Sequence, residues 1–156
     1  MRRATVFALI TLWVAASALA GPPLRDAQLL RILPPASRVR GGFDLVEELP
    51  VDPSGDPDLR EWGVRAQRAR HYTRDVKAGI QVCSVEVWAF GDEAQAVAAR
   101  VGFQYPEWEF VQRGAVMLMA RGLTRPRDAA PQRGVFPDCH AILEQAVERT
   151  PRAPQS

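Results

Sequence analysis

Two thiols are the first residues to place, because their pairing decides what other chemistry is open. Cys83 and Cys139 are the only cysteines. They form no Cys-x-x-Cys, so the dithiol redox motif is absent. In an oxidising compartment two such cysteines pair, and the long loop between them makes the bridge worth about 4 kcal/mol of chain entropy. If they are bridged, only His71 and His140 remain as soft metal ligands. Neither sits in a paired-histidine spacing, and adjacent Cys139 and His140 on a helix point about 100° apart. No metal set is expected.

Nucleophilic chemistry has no better footing. Ser37, Ser54, Ser84 and Ser156 lie in neither Gly-x-Ser-x-Gly nor Ser-x-x-Lys. The carboxylate pair Glu47-Glu48 is unremarkable, Glu107 and Glu109 are expected to share one water-facing side of a hairpin arm, and Gly41-Gly42 is a turn signal with no phosphate loop around it. No catalytic residue and no cofactor are expected.

Two clusters suit binding instead. Arg60, Arg65, Arg68, Arg70, Arg74 and Lys77 form a basic run with His71 and Tyr72 inside it. On a strand, Arg68, Arg70, Tyr72 and Arg74 project to one side, because side chains alternate with period two. Guanidinium groups hold carboxylates and phosphates in bidentate fashion. This side is therefore the candidate face for an anionic ligand or protein partner, with Tyr72 free to stack or hydrogen-bond. The plainer alternative is a solvated edge strand whose charges block aggregation. On either account Arg68 and Arg70 are exposed and replaceable at little cost to stability. The second cluster is Phe103, Tyr105, Trp108 and Phe110. Core packing accounts for most of it, while Pro106 presents Tyr105 at a pocket rim.

The elements that must position these residues follow from pattern. Residues 24–33 read as a short helix stopped by Pro34-Pro35, residues 43–49 as an extended segment, and 50–58 as a turn-rich connector. Asp58 caps a short turn holding Leu59 and Trp62. Residues 64–74 are a strand, 75–79 a turn, and 80–90 (IQVCSVEVWAF) the clearest strand of all. One face of that strand carries Cys83, Val85, Val87 and Ala89, and apolar residues on the other imply cover on both sides. Asp92 with Gln95 makes a capping box. Ala94, Val97, Ala98 and Val101 then mark the buried face of a helix ended by Gly102. A hairpin follows, with arms 107–112 and 115–121 and Arg113-Gly114 as its turn. Residues 122–137 read as a loop. Asp138 caps a last helix through Arg149, with Cys139, Ile142, Leu143, Ala146 and Val147 on its apolar face. The order β-β-α-β-β-α predicts an α+β domain: one antiparallel sheet of about four strands with helices on one face.

The leader gives the address. Met1-Arg2-Arg3 precedes an uncharged run from Ala4 to Ala20, and Ala18-Leu19-Ala20 fits a small-x-small cleavage site. Residues 1–20 read as a signal peptide, 21–149 as a single domain, and 150–156 as a disordered tail. The full chain has 20 basic and 18 acidic residues, so losing Arg2 and Arg3 leaves 18 of each. A neutral mature chain gives no general attraction to nucleic acid. No stable membrane anchor is expected after cleavage, since the apolar run is shorter than a spanning helix. Lys77 is the only lysine, a skew typical of a GC-rich bacterial genome, and the destination is the periplasm or the medium.

The run from Val85 to Gly122 resembles uncharacterised bacterial extracytoplasmic domains. In those, a strand ending in an aromatic residue (here VEVWAF) leads to a capped alanine-rich helix (GDEAQAVAARVG) and an Arg-Gly hairpin (WEFVQRGAVMLMARG). Leu33-Pro34-Pro35 and Trp62-Gly63 leading to Tyr72 are similar to such proteins as well. The resemblance implies the α+β fold and the extracytoplasmic location, and no site residue. Together these features point to a secreted, non-enzymatic binding domain. A small periplasmic enzyme or thiol accessory is the alternative.

Overall fold

The computed structural model describes residues 24–35, 37, 39–51, 57–77, 79–127, 129–134 and 136–152. The leader, residues 52–56 of the connector and the tail beyond Arg152 lie outside the described residues. The elements run α1 (Asp26–Ile32), β1 (Asp44–Val51), α2 (Pro57–Glu61), β2 (Val64–Val76), β3 (Gly79–Phe90), α3 (Glu93–Gly102), β4 (Glu109–Arg113), β5 (Val116–Pro126), β6 (Gln132–Gly134) and α4 (Pro137–Arg149). The fold is α+β. Its antiparallel sheet has the order β1-β2-β3-β5-β4, and the short β6 pairs with β5 beyond β4. The extra strands relative to the four expected come from β1, which pairs along β2, and from β6.

Helices cover both faces of this sheet, not one. The reason lies in β3 and β5, whose side chains are apolar on both sides. Cys83, Val85, Val87 and Ala89 pack with Val116, Leu118 and Ala120 beneath α1 and α4. Trp88, Phe90, Met117 and Met119 point the other way, to Leu59 of α2 and Ala96 and Ala99 of α3. Such a strand must be covered twice to remove its apolar area from water. In β2, a bulge lets Val64 pair with Phe90 and Ala66 with Ala89. The inserted Arg65 thus sends Val64 and Ala66 into opposite cores.

Asp92 caps α3 by accepting from Gln95 N at 2.8 Å, while Gln95 Oε1 accepts from Gly91 N at 3.0 Å. The buried face of α3 is not the expected one. Ala96 and Ala99 meet the sheet, whereas Val97 (45% exposed) and Val101 (71%) face outward. Alanine lets the helix backbone lie close to Trp88 and Phe103, and valine would hold it off. The β4–β5 turn is Gly114-Ala115, one residue later than expected, with Gly114 at a φ of 55°. Residues 122–126, expected as loop, extend β5, because β3 keeps pairing with it as far as Gly79 and Pro126.

Pro137 opens α4, and Asp138 lies in its first turn instead of at the cap. The predicted apolar face holds, with Cys139, Ile142, Leu143 and Ala146 buried. Cys83 and Cys139 form a disulfide, with Cα atoms 5.4 Å apart. Thr150, placed in the tail by sequence, is buried, and its hydroxyl donates to Ala146 O at 3.0 Å. Among the described residues, no helix is long and apolar enough to cross a membrane.

Candidate functional site

The arginine run is not an edge. β2 lies between β1 and β3, and its arginine side faces the core shared with α1 and α4. Arg68, partly buried, Arg70, Tyr72 and Arg74 do share that side, as their spacing requires. Tyr72 is 0% exposed, and its hydroxyl donates to Pro34 O at 2.7 Å. Arg70 donates through Nη1 to Leu33 O at 2.8 Å and through Nη2 to Glu48 at 3.0 Å. Arg149 Nε adds bonds to Arg31 O and Ile32 O at 2.9 and 3.2 Å. The carbonyls at the end of α1 have no partners within their helix. Cationic donors suit that end of the helix dipole. Arg74 bonds Gly41 O and Gln81, pairs with Asp138, and lies 4.6 Å over the Phe43 ring. Arg70, Tyr72 and Arg74 therefore fasten α1 and the following segment to the sheet. Neither the open anion face nor the freely replaceable Arg70 matches this arrangement.

The aromatic cluster leads elsewhere. On the face beneath α2 and α3, a concavity of about 320 Å³ opens in the surface. Its floor comes from the sheet: Gln67 of β2, Glu86 and Trp88 of β3, Met119 and Arg121 of β5. One wall is Asp58, Leu59 and Trp62; the other is Phe103, Tyr105, Glu107 and Trp108. Phe103 is the hub, with its ring centroid 5.8 Å from Trp62, 5.7 Å from Trp88, 4.9 Å from Tyr105 and 6.5 Å from Trp108. These are edge-on contacts, the arrangement ring quadrupoles favour. Tyr105, 48% exposed, stands at the rim, where Pro106 was expected to present it.

Polar groups at the floor are fixed by their neighbours. Glu86 Oε2 accepts from Gln67 Nε2 at 2.8 Å and from Trp88 Nε1 at 3.0 Å. The Gln67 amide must point its nitrogen this way, since its oxygen would repel the carboxylate. Gln67 is only 5% exposed, and among the described residues its Oε1 has no hydrogen-bond partner. Arg121 lies 4.6 Å over the ring of Trp108.

Glu107 and Glu109 do not share a water-facing side. Glu107 lines the groove, while Glu109 turns to α4, where His140 Nδ1 donates to its Oε1 at 2.6 Å. His140 Nε2 also meets Glu144 Oε1 at 3.3 Å. The bond to Glu109 holds the His140 imidazole above its usual value of 6.5, aided by the charges of both carboxylates. No group of three metal-ligating side chains occurs among the described residues.

Of the expected binding residues, only Tyr105 belongs to the groove. Trp62, Gln67, Glu86, Trp88 and Arg121 were missed. One signal was present: Glu86 is the only acidic residue in the apolar strand 80–90, on the same side as Trp88. A carboxylate there needs neighbours that hold it. Comparison of the chain with protein-family models, curated proteins and solved structures finds no match.

Proposed function

We propose that this chain is an extracytoplasmic binding domain, stapled by one disulfide, that holds a small ligand in the aromatic groove. The observation that carries this reading is the convergence of five aromatic rings and a fixed Glu86–Gln67 pair on one concavity. Its volume of about 320 Å³ suits a small molecule. The leader pattern and the Cys83–Cys139 bridge support the location. A thiol-exchange role gains no support, because Cys83 of β3 and Cys139 of α4 are both buried where the helix meets the sheet, away from an attacking thiolate.

The test is a thermal-shift screen of the disulfide-intact protein against a small-molecule library, with Trp108→Ala run beside it. Trp108 is partly exposed at the groove wall, so its loss leaves the core in place. Ligands that raise the Tm of the unsubstituted protein and not of the variant place binding in the groove. Ligands that stabilise both equally place it elsewhere.

A further inference from the structure

The composition of the groove floor goes further than its shape. Glu86 and Glu107 contribute two carboxylates, against one guanidinium, that of Arg121. That guanidinium already lies over Trp108, with 4.6 Å from its carbon to the ring centroid. The ring shows by this contact that its face attracts a cation. Glu86 is held by two neutral N–H groups, both ending on the same oxygen, and among the described residues no cation pairs with it. A carboxylate partly withdrawn from water and bordered by Trp62 and Trp88 leaves a negative field that a cation would offset. Beside it, Gln67 Oε1 is a second acceptor, solvent-shielded and, among the described residues, without a donor.

We propose that the groove binds a small organic cation that carries N–H donors, a protonated amine or a guanidinium. The proposal rests on the groove being the ligand site. The cation lies against the aromatic walls, and its N–H groups are directed to Glu86 and, once the side chains above it shift, to Gln67 Oε1. A neutral sugar suits the site less well, because a sugar hydroxyl needs donors as well as acceptors. The floor's acceptors are Glu86 and Gln67 Oε1, and its one cationic donor is Arg121. An anion is disfavoured by the excess of carboxylates.

Calorimetric titration of the disulfide-intact protein distinguishes these cases. The probes are n-butylguanidinium, n-butylammonium, tetramethylammonium, n-butylurea, methyl glucoside and butyrate. At least one of the first two binds, and n-butylurea, the neutral counterpart, binds weaker by about tenfold or more, the scale of a partly desolvated cation–aromatic contact. Tetramethylammonium, which lacks N–H, binds more weakly than the tighter of the two. Glu86→Gln reduces cation affinity by a similar factor, and Glu107→Gln, on the rim, reduces it less. The second variant keeps the test open if the first perturbs folding. Equal or tighter binding of the urea, the glucoside or butyrate, lost in Trp108→Ala, overturns the cation class and leaves the groove as the site. Cation binding that Trp108→Ala and Glu86→Gln both leave unchanged overturns the groove itself.

Discussion

Tyr72 carries a burden out of proportion to one hydroxyl. It lies wholly inside the core, and its bond to Pro34 O ties the chain just after α1 to the middle of β2. Burial pushes its phenol well above the usual 10.0, with Arg70 opposing. The folded protein thus keeps a proton that the unfolded chain releases near pH 10.0. Stability contributed by the neutral phenol is present below that pH and falls as pH rises beyond it. Urea midpoints measured on both sides of pH 10.0 should show this decline, and Tyr72→Phe should flatten it. At neutral pH the same substitution should cost about 1 kcal/mol, since Pro34 O loses its donor inside the protein. A variant as stable as the parent, with the alkaline slope intact, would show that the hydroxyl does not hold the strap.

Among the elements, β4 is the outer strand of its side of the sheet, and His140 fastens it to α4 through Glu109. The raised histidine stabilises the fold fully below 6.5, and that contribution disappears as pH rises through its folded value. Amide exchange in β4 should therefore quicken with rising pH beyond the intrinsic base-catalysed increase. His140→Ala should abolish the excess, and an identical pH response in the variant would count against the pin. The same scale explains what sequence could show. β3 was legible because a run such as IQVCSVEVWAF has few alternatives to a buried strand. The face of α3 was not, because hydrophobic spacing counts valine above alanine, and the distance available over Trp88 and Phe103 favours alanine. The groove was half legible: Pro106 marked Tyr105, but only strand pairing brings Gln67 opposite Trp88. The arginine run misled because some of its partners are carbonyls, at Leu33 and Gly41, which no residue type announces, and others are side chains distant in sequence, Glu48 and Asp138.

At the scale of the whole molecule, the disulfide joins the central strand to the last helix across 56 residues of sequence. Replacing Cys83 and Cys139 together by alanine should lower unfolding free energy by about 4 kcal/mol on the loop-length relation, measured by denaturant titration. A loss well under about 1 kcal/mol would show that packing between α4 and the sheet already restrains the unfolded chain. The seat of α1 spans still greater separations: Arg149 reaches Arg31 across 118 residues, and Arg40 meets Glu148 across 108. The β2–β3 hairpin offers α1 half of its seat, through Arg70 and Tyr72, and α4 with Arg149 supplies the other half. Without α4, Leu29, Ile32 and Leu33 meet only the sheet side of their core. An early helix is thus fully seated only by a late one, and truncation within α4 would unseat α1 at the far end of the sequence.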